Sequence, residues 1–177
     1  MPQQVVTNQQ IVIIGFMGTG KTTVAHELGH KLNCLAVDLD ELISRRESRS
    51  PSEIIDQDGE SEFRRIEAQL LSEVLEDARI RIIAVGGGAW TIAANRQLIA
   101  ERGVFTVWLD ADFELCWKRI ASGSEARPLA RSREMAERLY GERRRVYELA
   151  DFRVALAEGD SAAEIATKVC NEILRRQ

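Results

Sequence analysis

The stretch that decides the fold is GFMGTGKT at residues 15–22. Glycine stands at its first and sixth positions and is followed by lysine and threonine, which is the spacing of a phosphate-binding loop. An apolar, β-branched run at residues 11–14 precedes it, and an amphipathic helical pattern follows it. Because glycines let successive backbone N–H groups face one anion at a helix N-terminus, this order predicts a nucleotide phosphate site. A plain glycine turn is the alternative interpretation.

Several side chains of this loop have expected roles in binding ATP and Mg²⁺. Lys21 is expected to bridge the β- and γ-phosphates, and Thr22 to offer its hydroxyl to the metal ion. Asp38, at the end of the next apolar run, can hold the same ion through water. The predicted metal ligands are therefore Thr22 and Asp38, and the loop residues predicted to bind the nucleotide are Gly18, Thr19, Gly20, Lys21, Thr22 and Thr23.

The helix after the loop contains a competing motif, HELGH at residues 26–30. In H-E-x-x-H two histidines bind zinc and the glutamate activates water, so His26, Glu27 and His30 could serve a zinc hydrolase. The chain has only 2 histidines, so a carboxylate would have to supply a third ligand. A solvent-exposed helix face also explains the pair, and the zinc hydrolase is kept as an alternative.

Short β-branched runs alternate with helical patterns along the whole chain. The predicted strands are residues 11–15, 35–40, 81–88, 104–110 and 152–156. This alternation predicts an α/β fold of three layers with a parallel central sheet. No repeat or linker interrupts the pattern, so residues 1–177 are expected to form one domain with a loose tail at residues 1–10. Ser161 followed by Glu164 predicts the start of a C-terminal helix.

Composition and charge narrow the class of protein. Of the 177 residues, 45% are hydrophobic and 29% are charged, as in ordinary globular proteins. A formal net charge of −4 gives no broad basic field, which argues against nucleic acid or an acidic lipid surface as a partner. The three cysteines lack metal-ligand spacing, and no apolar stretch is long enough to span a bilayer. We expect a cytoplasmic monomer that acts on a small molecule.

Candidate ligands for a phosphate acceptor follow the second and third predicted strands. Alternation in an extended segment would put Asp38 and Asp40 on one side, with Asp40 placed to accept the proton of an attacking hydroxyl. Their alternative role is to cap a helix at Glu41. Three glycines at residues 86–88 follow the third strand, where backbone N–H groups can approach a ligand closely.

Two further segments carry arginines that could bind anions. Arg64 lies off the apolar stripe of its predicted helix, within GESEFRRIE at residues 59–67. Glu67 could hold its guanidinium, although exposed pairs at this spacing are common and add only about 0.2–0.5 kcal/mol. The irregular stretch around residues 122–134 contains glycine, proline and several arginines, and it is predicted to be a lid.

Together these residues resemble the shikimate kinase family. The matching motifs, in the family's order and spacing, are GFMGTGKTT at 15–23, DLD at 38–40, GESEFRRIE at 59–67, GGG at 86–88 and RPL at 127–129. The resemblance covers about residues 10–175. It implies a P-loop kinase fold of the nucleoside-monophosphate-kinase type, with a five-stranded parallel sheet in order 2-3-1-4-5 and a substrate-binding segment at residues 39–67. The implied reaction phosphorylates the 3-hydroxyl of shikimate with ATP, a step toward chorismate and the aromatic amino acids.

The resemblance also implies roles for single residues. The expected catalytic residues are Lys21, Asp40 and Arg127, with Arg127 reaching the transferred phosphoryl group from the lid. Arg119 and Arg127 join the nucleotide site, Arg119 as the adenine contact. The expected shikimate ligands are Asp40, Arg64, Gly86, Gly87, Gly88 and Arg143. Arg144 is the alternative to Arg143, because the proline that usually precedes the Leu-Tyr pair is absent.

Two other departures concern the lid, where Ala130 replaces a leucine and the stretch from Arg127 to Arg143 is a few residues short. A non-catalytic, nucleotide-binding module of the same fold therefore stays open as an alternative function. So does a gluconate-type or nucleotide kinase. ADP release with shikimate separates the first alternative from an active kinase, and a panel of acceptor substrates separates the second.

Overall fold

The computed structural model describes residues 9–122 and 132–176 of the chain. Its five strands are β1 (Ile11–Gly15), β2 (Leu35–Asp38), β3 (Ile80–Ala84), β4 (Phe105–Ala111) and β5 (Phe152–Leu156). All neighbouring strands are parallel, and their order across the sheet is β2-β3-β1-β4-β5. This is the order expected from the resemblance, so the predicted fold is confirmed.

Helices connect the strands and cover the sheet. They are α1 (Lys21–Leu32), α2 (Leu39–Glu47), α3 (Pro51–Asp58), α4 (Glu60–Glu76), α5 (Ala93–Glu101), α6 (Phe113–Ser122), α7 (Arg133–Tyr147) and α8 (Ala162–Arg176). A 3₁₀ turn at Ala89–Thr91 lies between β3 and α5. Within the described ranges, none of these helices has the length and apolar character needed to cross a membrane.

The central strand β1 shows how the two faces of the sheet are filled. Val12 and Ile14 belong to the larger core cluster, which the side chains of α4 and its neighbours complete. Ile11 and Ile13 face the other way and pack with the apolar stripes of α1 and α8. Because successive strand residues alternate between faces, a strand covered on both sides must be apolar at every position. The continuous apolar run of β1 follows from that double burial.

The second and third predicted strands are longer than β2 and β3 of the structure. The error in β2 changes the argument about Asp38 and Asp40. β2 ends at Asp38 because its carboxylate Oδ1 accepts hydrogen bonds from the backbone N–H groups of Asp40 (2.9 Å) and Glu41 (3.2 Å). That cap starts α2 at once, so Asp40 lies in the first turn of a helix. The expectation that strand alternation aligns Asp38 with Asp40 is therefore wrong. Similarly, β3 ends at Ala84, and the three glycines form a turn beyond it.

Hydrogen bonds test two further predictions, the loose N-terminal tail and the capping box before α8. Gln9 Nε2 donates to Gly103 O (2.8 Å) and Gln10 Nε2 to Ile80 O (2.9 Å), so the predicted loose tail does not include these two residues. The predicted capping box before α8 is confirmed, with Ser161 N donating to Glu164 Oε2 at 2.8 Å. Of the predicted lid, residues 123–131 lie outside the described residues.

Leu71 lies on the buried face of α4, and its side chain is 0% exposed. Leu71→Ala is expected to lower the free energy of unfolding by about 2–5 kcal/mol, because it removes buried methyl groups and leaves a cavity. Urea unfolding measures this change. Leu149→Ala is the control, since Leu149 is 64% exposed and its change should stay within about 0.5 kcal/mol. Equal losses in the two variants would contradict this account of the core.

Candidate active site

The loop between β1 and α1 curls tightly before the helix begins. Gly20 caps α1 in the left-handed region, at φ 84° and ψ 26°. Gly18 has φ 82°, and a Cβ built on it would lie 2.8 Å from the backbone oxygen of Cys116 in α6. Side chains are strained at both positions. The two glycines thus allow the path that turns the loop around the N-terminus of α1.

Hydrogen bonds within the loop give its side chains different orientations. The hydroxyl of Thr19 is buried and donates to Phe16 O (2.8 Å), and Lys21 Nζ donates to the same oxygen (3.1 Å). Arg119 of α6 donates from Nη1 to Gly18 O at 3.1 Å. The structure therefore uses the Thr19 side chain to close the loop, and it places the exposed guanidinium of Arg119 at the rim of the phosphate site.

The two predicted metal ligands contact each other. Thr22 Oγ1 donates to Asp38 Oδ2 at 2.5 Å, while Oδ1 of the same carboxylate caps α2. Capping and metal binding are therefore compatible, because they use different oxygens. Hydroxyl and carboxylate oxygens are the hard ligands that Mg²⁺ prefers, so this pair fits the expected ion.

A cleft of about 1040 Å³ opens at the carboxyl end of the sheet, beside the phosphate loop. Ligand sites of open parallel sheets lie at this edge. Most of the predicted site residues line it: Gly18, Gly20, Lys21, Thr22, Thr23, Asp38, Asp40, Arg64, Gly86, Gly87, Gly88 and Arg143. Thr19 and Arg119 do not line it, and Arg127 lies outside the described residues.

Arg64 enters the cleft from α4 as part of a network of acidic side chains. Its Nη1 lies 2.7 Å from Glu67 Oε2, and its Nη2 lies 3.1 Å from Glu60 Oε1. The side chain of Glu67 is 0% exposed. The alternative of an ordinary exposed helix pair is therefore wrong, because a buried ion pair fixes both partners and is costly to break.

The carboxyl group of Glu67 lies beside that of Asp40. A Cβ built on Gly86 would lie 3.0 Å from Glu67 Oε1 and 3.2 Å from Asp40 Oδ1, so both groups converge on this glycine. Burial raises the pKa of Glu67 to about 7, opposed by Arg64 and reinforced by the charge of Asp40. Glu67 is a site residue that the sequence analysis considered only as a partner for Arg64. The sequence feature that could have indicated its burial is its position one helical turn after Phe63, on the apolar stripe of α4.

The second arginine of the cleft comes from α7. Arg143 is 8% exposed, and a Cβ built on Gly87 would lie 3.2 Å from its Nη1. The alternative, Arg144, instead binds Asp110 with both terminal nitrogens (2.5 and 3.0 Å) and stacks on Trp108. The structure therefore brings Arg143 into the cleft and turns Arg144 away from it.

The histidines of the competing zinc motif do not lie in the cleft. His26 and His30 are exposed on α1, away from the cleft lining. Among residues 9–122 and 132–176, no group of three histidine, cysteine, aspartate or glutamate side chains could hold a metal ion. The structure thus offers the zinc hydrolase no site in the part that it describes.

A parallel sheet in this order, a phosphate loop and an adjacent cleft with acidic and basic side chains define a P-loop small-molecule kinase. The profile of the shikimate kinase family matches residues 17–174. The chain belongs to the shikimate kinase family, as its similarity to individual members also shows.

Three relatives illustrate this similarity. The shikimate kinase of Cereibacter sphaeroides is 37% identical over 169 residues, which cover 94% of this chain and 83% of that protein. The shikimate kinase of Sulfurihydrogenibium is 32% identical, over 95% of this chain and 99% of that one. The structure of the Acinetobacter baumannii shikimate kinase in complex with shikimate superposes with a TM-score of 0.88, at 29% identity, covering 96% of this chain and 94% of that one.

The buried carboxyl of Glu67 makes the stability of the protein depend on pH. Its pKa is about 7 in the folded state and 4.5 as the unperturbed value, so the folded state binds the proton more tightly. The stabilisation is complete below pH 4.5 and is lost as the pH rises through 7. Between pH 4.5 and 8, wild type should lose roughly 3 kcal/mol of unfolding free energy relative to Glu67→Gln. Urea unfolding at several pH values measures this difference.

Glu73→Gln on the same helix is the matched control. Glu73 is exposed and hydrogen bonds to Arg46 lower its pKa, so its titration falls below 4.5. Its difference from wild type should stay constant above pH 5. Parallel pH profiles for wild type and Glu67→Gln would contradict the assignment of a raised pKa to Glu67.

Proposed function

We propose that this protein transfers the γ-phosphoryl group of ATP to the 3-hydroxyl of shikimate, giving ADP and shikimate 3-phosphate. The observation that carries the proposal is that Arg64 and Arg143 reach the glycine turn at residues 86–88 from two different helices. This turn lines the same cleft as the phosphate loop. Membership of the shikimate kinase family supports the choice of acceptor.

The two arginines suit an acceptor that carries a carboxylate. A guanidinium presents parallel N–H donors that match the two oxygens of a carboxylate, and a pair of them fixes both its position and its plane. Arg64 is already oriented by Glu67 and Glu60. Its fork is therefore preorganised, which lowers the cost of ordering the site when the acceptor binds.

Asp40 is the proposed base or orienting group for the 3-hydroxyl. In the transfer, the hydroxyl O–H bond breaks as the new O–P bond forms, the proton goes to the Asp40 carboxylate, and the β–γ phosphoanhydride bond breaks to release ADP. Such positioning and proton acceptance account for much of the catalysis in phosphoryl transfer. The position of Asp40 in the cleft lining supports this role.

The donor half rests on the phosphate loop. Lys21 and the loop N–H groups would hold the β- and γ-phosphates, and Thr22 with Asp38 would hold Mg²⁺. The ion neutralises charge on the phosphate oxygens. Arg127 would bind the transferred group from the proposed lid at residues 122–134, whose closure would exclude water as a competing acceptor.

We further infer that the protein works as a cytoplasmic monomer, with residues 1–177 as one kinase domain and residues 39–67 as its substrate-binding segment. Cys34, Cys116 and Cys170 are free thiols, which suits a reducing compartment. Sedimentation and cell fractionation test the two statements separately.

Two substitutions test the proposed reaction. Lys21→Ala and Asp40→Asn are each expected to reduce shikimate-dependent ADP release by about 10²-fold or more, because they remove the phosphate bridge and the base. A coupled ADP assay measures both rates. Full activity in Asp40→Asn would exclude Asp40 as base.

The acceptor is tested in the same assay with shikimate, quinate and gluconate. Wild type should release ADP rapidly only with shikimate. ATP binding without turnover of any acceptor would favour the non-catalytic module, and a preference for gluconate or a nucleotide would favour the other kinase classes.

Gly88→Ala tests the proposed role of Arg64. A Cβ at this position would lie 2.7 Å from Cζ of Arg64, so the guanidinium must move out of its place. Because this group is the far end of a flexible side chain, the protein should still fold. The KM for shikimate is expected to rise about tenfold or more, since a buried charged hydrogen bond is lost.

Gly141→Ala is the control, since it lies in α7 and a Cβ there meets no atom within 4 Å. Its KM should equal that of wild type. An unchanged KM for shikimate in Gly88→Ala would show that Arg64 does not bind the acceptor from this position.

A further inference from the structure

Tyr147 is a buried residue whose hydroxyl contacts Gly87, a residue of the cleft lining. It is the last residue of α7 and is 2% exposed. Its ring belongs to the larger core cluster and lies 6.2 Å from the ring of Trp108. Core packing therefore fixes the ring, and the ring fixes the position of its single polar atom.

The hydroxyl connects two groups that are predicted to bind the acceptor. Tyr147 Oη donates to Gly87 O at 2.6 Å. A Cβ built on Gly87 would lie 3.2 Å from both Tyr147 Oη and Arg143 Nη1, so the three groups meet at one point. A hydroxyl has one proton, which here goes to Gly87, so its oxygen is left as an acceptor facing the neighbouring Arg143 guanidinium. Burial raises the pKa of Tyr147 to about 12, which keeps this proton in place.

The two arginines of the cleft are oriented by different means. Arg64 is held by the carboxylates of Glu67 and Glu60. The buried Arg143, by contrast, lies beside the Gly87 backbone and the Tyr147 hydroxyl. The Tyr147 hydroxyl is thus a neutral polar group, fixed by core packing, at the end of this guanidinium.

We propose that Tyr147 is the positioning residue of the acceptor site, whose hydroxyl holds the Arg143 guanidinium and the Gly87 backbone in the arrangement that receives the acceptor carboxylate. This inference rests on the proposed function. Tyr147 acts through Arg143 and Gly87, and it does not touch the reacting atoms.

The chain offers a matched control on the same helix. Tyr140 Oη donates to the backbone oxygen of Ala111 (2.8 Å) and accepts from Arg144 Nη1 (2.7 Å). Tyr147 has a similar setting, with its hydroxyl donating to a backbone carbonyl and an arginine four residues away along the helix beside it. The two tyrosines differ in the arginine beside them, because Arg143 lines the cleft, whereas Arg144 binds Asp110 and does not. A purely structural role would make the two tyrosines equivalent.

The test compares Tyr147→Phe with Tyr140→Phe in steady-state kinetics and urea unfolding. Tyr147→Phe is expected to raise the KM for shikimate about tenfold, because Arg143 loses the fixed hydroxyl beside its guanidinium. Its KM for ATP should stay within about twofold of wild type. Tyr140→Phe should leave both KM values unchanged, although both variants lose similar stability.

A double-mutant cycle with Arg143→Lys tests whether Tyr147 acts through Arg143. The effects of Arg143→Lys and Tyr147→Phe on the KM for shikimate should be clearly less than multiplicative when combined.

The outcomes separate this inference from the function on which it rests. Wild-type turnover of shikimate with an unchanged KM in Tyr147→Phe, or equal KM changes in the two tyrosine variants, would overturn the positioning role alone. A wild-type protein that turns over no shikimate would overturn the proposed function and this inference with it. A selective rise in the KM for shikimate, coupled to Arg143, supports both.

Discussion

Parallel pairing of β1 with β3 is the constraint on which the site depends. Ile13 pairs with Ala84, and Val85 N donates to Ile13 O at 3.2 Å, so the two strands end side by side. The phosphate loop leaves the sheet from β1, and the glycine turn leaves it from β3. Donor and acceptor loops therefore meet at one edge, although about 70 residues separate them in sequence. A shift in this register would separate them.

The acceptor side of the cleft is built from buried charges that position one another. Glu67 has no exposed surface, and its Oε2 holds Arg64 while its Oε1 faces Gly86 close to Asp40. Burial of a carboxylate is unfavourable unless partners compensate for the lost hydration. Burying these groups thus lowers the stability of the fold, but it fixes a guanidinium and a carboxyl group in position before any ligand binds. Such preorganisation is what a phosphoryl transfer enzyme needs, because it works mainly by positioning and charge stabilisation.

Features encoded within a few adjacent residues could be predicted from the sequence. The phosphate loop and the capping box before α8 are of this kind. The sheet order is not local, and it was predicted only through the family resemblance. The end of β2 was misplaced because a strand pattern and an Asp cap compete over the same residues, and the cap of Asp38 decided the boundary.

Three features of the site depend on tertiary packing and could not be predicted from the sequence. The burial of Glu67 depends on how α4 lies against the glycine turn, which the helical pattern alone does not determine. The choice between Arg143 and Arg144 depends on the rotation of α7, which Asp110 and Trp108 of β4 help to set by binding Arg144. The contact of Tyr147 with Gly87 spans 60 residues and has no local signal.

The central claim is that one cleft holds the phosphate donor at the P-loop and the acceptor carboxylate between Arg64 and Arg143. A crystal structure with ADP, Mg²⁺ and shikimate tests it most directly. The account predicts the shikimate carboxylate within about 3 Å of both guanidinium groups, with its 3-hydroxyl beside Asp40. Shikimate bound with its carboxylate away from either arginine, or with its 3-hydroxyl turned from Asp40, would contradict it.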